Sequence, residues 1–290
     1  MKIAACLHGL ARGSSVKADG AYLEKFCTLL KQIKGADIFI HSWDDDIQDE
    51  IVQTFNPLGY IFEPQKDFKE EQDLFKDINF TNNTTMAQGN LFKTLSFLFS
   101  RKQSIQLKQK YETEAGFKYD VVLVSRFDVG HHKQGLNKTS HLNFNANQDM
   151  SKIYQAYWDQ TNAGASDHWF YSSSGNIDIV STMYDKVFEY LKKDSEYNKK
   201  CKEGWPISCK LNEFSGELFK NQRTKNLATY ITGENSLINN HCLYKYFFME
   251  NDMWDDNKSI FLNKNLLKLM LKNAFNLNNE GWKLLNKRWA

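Results

Sequence analysis

With 290 residues, 41% of them hydrophobic and 14% aromatic, the chain can build one large core or a core with an appendage. A net charge of +2 leaves no electrostatic footprint for nucleic acid, and that class of partner is set aside. No run reaches the ~18 apolar residues of a membrane span. The opening MKIAACLHGLARG is interrupted too early for a signal peptide, so a cytoplasmic protein is expected. Cys6, Cys27, Cys201, Cys209 and Cys242 contain no CxxC pair, and Cys6 and Cys27 fall at core positions. This usage points to a reducing compartment rather than a zinc ribbon or a disulfide framework.

In chain order, the apolar run Lys2–Leu7 predicts a first strand. It ends in His8, Gly9, Leu10, Ala11, Arg12, Gly13, Ser14 and Ser15, where glycines and an arginine can approach a phosphate. The loop is neither a Walker A sequence nor GxGxxG, and alone it is equally a plain surface turn. Leu23, Phe26, Cys27, Leu30 and Ile33 share a helical face that Gly35 closes. Residues 36–40 form the second strand of a βαβ unit, so a parallel sheet is expected. The acidic run Asp44, Asp45 and Asp46 either caps the next helix, 47–55, or binds ribose or metal.

Residues 57–62 read as a third strand, and 65–85 as a long polar connection. A helix from about Thr85 carries the stripe Leu91, Phe92, Leu95, Leu98 and Phe99. Its pattern turns charged through Tyr111, which predicts that its later turns lie on the surface. Val121 to Val124 is a buried strand followed at once by Ser125, Arg126 and Asp128. The carboxyl end of such a strand is where open α/β sheets hold ligands. Arg126 there offers a cation for phosphate and Asp128 a carboxylate for a divalent metal; the plainer reading is an ion pair closing a strand. The adjacent His131 and His132, and the later His241, are candidate imidazole ligands, though more simply exposed histidines.

A strand over 152–158 precedes Asp167 and His168, which open the short aromatic strand Trp169–Tyr171. Ser174 or Asn176 caps the helix behind it, with stripe Val180, Met183, Tyr184, Val187, Phe188 and Leu191. Beyond Lys192 the chain reads as helix and loop. Lys264, Lys268 and Lys272 lie at helical spacing there. They form a solvated face or, with Trp282, Lys287, Arg288 and Trp289, a peripheral contact with an anionic membrane.

The ordered set LHGLARG, DIFIHSWD, YDVVLVSRFDV and SDHWFYSSS resembles a group of glycosyltransferase-like proteins with a GT-A-type fold, found in bacterial surface-polysaccharide loci and large viruses. The resemblance covers about residues 1–190. It implies an α/β, Rossmann-type core over 1–190, with a mostly parallel central sheet flanked by helices. Residues 191–290 are expected to form a helical extension packed on that core. It further implies a nucleotide-sugar donor, a glycan acceptor and a divalent metal, Mn or Mg. By the same resemblance His8, Gly9, Arg12, Asp44, Arg126 and Asp128 lie on the donor side, with Asp128 on the metal. Asp167 is then the general base, and Trp158, His168 and Trp169 lie by the acceptor. Arg126 stands where that family has the first aspartate of an Asp-x-Asp, so an arginine would take over part of the phosphate's neutralisation. Two other classes stay open: a non-catalytic nucleotide- or glycan-binding protein of this fold, and a metal-dependent phosphotransferase.

Overall fold

The computed structural model describes residues 1–10, 33, 35–43, 47–78, 91–127, 149–155, 165, 167, 169–203 and 237–254. Six strands form one mixed sheet: β1 (Ile3–Gly9), β2 (Asp37–Ser42), β3 (Gly59–Phe62), β4 (Val121–Arg126), β5 (Tyr154–Gln155) and β6 (Trp169–Ser172). Their order is β3-β2-β1-β4-β6-β5. The first four run parallel; β6 is antiparallel to β4 and to β5. This is the mostly parallel α/β sheet that the alternation of apolar strands and amphipathic helices predicts.

The described helices are α1 (Gln48–Phe55), α2 (Lys69–Asp73), α3 (Leu91–Ala115), α4 (Ser174–Val180), α5 (Met183–Tyr190), α6 (Glu196–Lys202) and α7 (Asn240–Glu250). The central strands are buried on both faces, which is why β1 and β4 read as unbroken apolar runs. Side chains alternate between two cores. Ala4, Cys6, Val122, Val124 and Phe170 face the layer that holds α3, α4, α5 and α7. Ala5, Leu7, Val121, Leu123, Phe127, Trp169 and Tyr171 face the other layer, with Ile51 and Phe55 of α1. Residues 237–254 supply Leu243, Tyr244, Phe247, Phe248 and Met253 to the first core, so this stretch packs with the sheet.

Several local expectations change. β1 extends through Gly9, so His8 and Gly9 end a strand rather than begin a loop. The N-cap of α1 is Ile47, without a side-chain cap, and Asp44 to Asp46 lie outside the described residues. The connection after β3 contains α2 and buries Phe68 and Phe75. The cap of α4 is Ser173, whose side chain accepts from Asn176 N–H.

The largest correction concerns α3. Its 25 residues span about 37 Å at ~1.5 Å per residue, and its later turns bury the charged face Arg101, Lys108 and Glu112 while Lys110 and Glu114 stay exposed as expected. Leu91, Leu95, Leu98, Arg101, Ile105, Lys108 and Glu112 are all buried. They recur every three or four residues, so they form one face of one helix. The chemistry of the stripe changes along α3 while its direction does not. Gly116, with φ of +68°, ends α3 in a left-handed turn.

Candidate functional site

The chain runs from β1 outward to β2 and β3, then returns across α3 to β4 on the other side of β1. β1 and β4 therefore lead to strands on opposite sides, and their carboxyl ends mark the topological switch point, where open α/β sheets form a ligand crevice. His8 and Arg126 are register partners there. Because β6 is antiparallel to β4, its entrance lies at the same edge, with Trp169 paired to Ser125. That reversal brings Asp167, two residues earlier, to the end of β4. Asp167 Oδ1 lies 3.8 Å from Arg126 Nη1 and 3.9 Å from His241 Nδ1.

Beneath this surface sits a buried cation. Arg101 of α3 donates from Nε to His8 Nε2 at 3.0 Å and from Nη2 to the Asp167 carbonyl at 2.8 Å. Its guanidinium carbon lies 4.4 Å from the Phe97 ring centroid, 4.9 Å from that of Phe170 and 4.4 Å from that of Tyr244. A guanidinium can only donate, so His8 Nε2 must accept and the His8 proton sits on Nδ1. Burial, followed by the charges of Arg101 and Arg126, holds the His8 ring well below its ordinary proton affinity, and it stays neutral. His8 Nδ1 and Arg101 Nη1 are both buried without a hydrogen-bond partner. An unmet buried donor costs about 1–3 kcal/mol, so two on one hydrogen-bonded pair mark a place not optimised for stability.

A second polar chain fixes the end of β1. His41 of β2 bonds the Glu63 carboxylate through Nε2 and Ser100 Oγ of α3 through Nδ1, each at 2.8 Å. Ser100 Oγ also accepts from Gly9 N–H at 2.8 Å. Burial lowers the proton affinity of His41, although Glu63 opposes it. The neutral ring then donates to Glu63 and accepts from the Ser100 hydroxyl. The order is a relay of serine, histidine and carboxylate, but Ser100 is wholly buried and its oxygen is engaged by Gly9. The relay anchors the strand end, where Gly9 takes a φ of +98°.

Of the residues expected at a site, His8, Gly9, Arg126 and Asp167 therefore come together. Trp169 opens β6 but is buried in the opposite layer, stacked on Tyr171, which in turn stacks on Tyr154. Arg12, Asp44, Asp128, Trp158 and His168 lie outside the described residues. The sequence reading missed Arg101, Ser100, His41 and Tyr244. The signal for Arg101 was present: it continues the three-and-four spacing of Leu91, Leu95 and Leu98.

Among the described residues, the side chains converging here are Arg101, Arg126, His241 and the neutral His8, with the single carboxylate Asp167. This set suits an oxyanion better than a divalent cation. No cluster of three or more metal-binding side chains occurs among the described residues. Asp128, and with it the candidate ligands Asp44 to Asp46, His131 and His132, lies outside the described residues. Nor is any described helix long and apolar enough to cross a membrane. A cavity of about 250 Å³ opens elsewhere, lined by Asp77, Asn198, Lys202 and Leu237 among others, and shares no residue with this cluster. No protein-family model, curated protein or solved structure matches the chain.

Proposed function

We propose that the chain is a GT-A-type, Rossmann-like glycosyltransferase that moves a sugar from a nucleotide-sugar donor to a glycan acceptor. The observation that carries this reading is the meeting of Arg126 and Asp167 at the switch point, 3.8 Å apart. Glycosyl transfer builds negative charge on the leaving diphosphate, which the exposed side of Arg126 is suited to stabilise. It also requires removal of the acceptor's proton, for which Asp167 is the carboxylate at hand. His8 and Gly9 form the floor of the crevice, and Arg101 holds that floor to the segment carrying Asp167. A divalent metal, if Asp128 holds one, would add further charge on the diphosphate; nothing in this reading depends on it.

A second reading is favoured by one feature. The Asp167 carboxylate already lies between Arg126 and His241, an arrangement that also serves a non-catalytic nucleotide-binding protein. The two separate in one experiment. A panel of nucleotide sugars is scored by thermal shift, and single-turnover transfer is then measured with the donor that binds. For the enzyme, Arg126→Ala weakens nucleoside-diphosphate binding by ~1.5–3 kcal/mol. Asp167→Asn keeps donor affinity and slows transfer at least ~100-fold. Binding without turnover by the wild-type protein selects the second reading, and the absence of any nucleotide binding removes both.

A further inference from the structure

Asp167 precedes β6 and so is not held by the sheet ladder. Its segment is instead held by two helices. From α3, Arg101 Nη2 donates to the Asp167 carbonyl. From α7, the contact is with Ala165, two residues earlier, and it is made twice. The Ala165 N–H donates to the His241 carbonyl at 2.8 Å. The His241 ring returns the contact through Nδ1, 2.7 Å from the Ala165 carbonyl oxygen. A carbonyl oxygen only accepts, so His241 Nδ1 carries its proton whatever the charge of the ring. The His241 backbone is itself fixed at the start of α7, where its N–H donates to the Asn239 side chain at 2.9 Å.

We propose that His241 is a positioning residue: its two-point grip on Ala165 sets Asp167 at the mouth of the β1/β4 crevice, so that α7 completes the site. The value of this placement for proton removal rests on the glycosyltransferase reading; the grip itself does not. A carboxylate displaced by about 1 Å from its working position slows a reaction by up to ~100-fold, so a residue that never touches the substrate can govern the rate. The arrangement also assigns the region after residue 190 a part in the site, which the resemblance of residues 1–190 alone does not imply.

Two replacements test it. In His241→Asn the side-chain amide can place an N–H where Nδ1–H stood. In His241→Gln the amide extends one bond further and reaches the position of Nε2 instead. Both leave the buried face of α7, with Leu243, Tyr244 and Phe247, unaltered. Amide hydrogen exchange at Ala165 is read first. The grip predicts exchange at least ~10-fold faster in His241→Gln and near wild type in His241→Asn. Donor affinity and single-turnover rate are read next. His241→Gln keeps donor affinity and slows transfer by roughly 10–100-fold, while His241→Asn restores the rate. Equal behaviour of the two variants, or unchanged Ala165 exchange in His241→Gln, overturns the proposal. So does a wild-type transfer rate in a His241→Gln protein that has lost the protection. If the wild-type protein transfers no sugar from any donor, the proposed function falls, and Ala165 exchange by itself decides whether His241 holds the segment.

Discussion

The carboxyl end of α3 and its middle bury charge in opposite ways. Toward the amino ends of the strands, Lys108 and Glu112 are fully buried and paired at 2.9 Å. Lys108 also meets Asp178 at 2.5 Å, and Lys118 bridges Glu112 and Asp178 at 3.0 and 2.8 Å. Glu112 accepts further from the Ser174 hydroxyl and from Tyr119 N–H. Two cations meet two carboxylates, and the donors find acceptors. Two turns earlier, Arg126 lies 3.8 Å from the Asp167 carboxylate while Arg101 donates to the Asp167 carbonyl, and His8 Nδ1 and Arg101 Nη1 have no hydrogen-bond partner. The first end ties α3 to α4 and to the entry of β4. The second ties α3 to the end of β1 and to the segment before β6, with His8 Nδ1 and Arg101 Nη1 left unmet, which costs stability rather than adding to it.

The sharpest way to break this contrast is at the paired end. Glu112→Ala leaves buried Lys108 with the Ser174 hydroxyl and the partly exposed Asp178 carboxylate, and stability should fall by about 3–5 kcal/mol. A urea midpoint close to wild type would show that the network is not structural.

Acid should separate the two regions along the pH axis. His8 is neutral in the fold, with its proton affinity depressed, whereas the unfolded chain takes up a proton near the ordinary value of 6.5. Stability from this group is thus complete above that value and is lost as pH falls through it. A ring that stays neutral to pH 5 accounts for about 2 kcal/mol between pH 7 and pH 5. The paired end behaves differently. Burial works to raise Glu112, but hydrogen bonds from Ser174, Tyr119, Lys108 and Lys118 outweigh it and hold the carboxyl below its ordinary 4.5. Asp178 is lowered below 3.8 in the same way. Their contribution persists above the ordinary carboxylate range and fails only as pH drops below it. Urea unfolding of wild type and His8→Gln at pH 7 and pH 5 checks this: the variant should show the flatter dependence, and equal slopes would remove His8 as the cause.

The smallest effect belongs to the Glu63–His41–Ser100–Gly9 relay. Ser100→Ala strands the Gly9 N–H and His41 Nδ1, but alanine is the better helix former, so the net loss should be about 1 kcal/mol. If β1 ends as argued, amide exchange at Gly9 rises with it; protected Gly9 in the variant would show that the strand end needs no anchor.

Most elements were legible along the chain because their signals are local. The four parallel strands hold apolar runs of three to five residues, and α1, α3 and α5 carry stripes at helical spacing. Arg126 stood out for the same reason, as a charge two residues after the run 121–124 ends. The reading went astray where charge and burial parted company. Arg101, Lys108 and Glu112 resemble a solvated face in composition, yet they continue the buried face of α3 in position. Their partners Asp178, Ser174 and Asp167 lie more than sixty residues away from Arg101 and Lys108, except for Glu112 itself.

The sequence by itself therefore determined a mostly parallel α/β sheet and the strand end that carries Arg126, while it closed the first strand at Leu7, short of His8 and Gly9. Periodicity and turn residues act over a few positions, and that suffices for both. Only the tertiary structure decided which ends meet. The return of the chain to the far side of β1 creates the switch point, and the reversal of β6 brings Asp167 to Arg126. The packing of α3 and α7 against that edge adds Arg101 and His241. Such choices depend on strand order and on long-range pairing, and no local pattern encodes them.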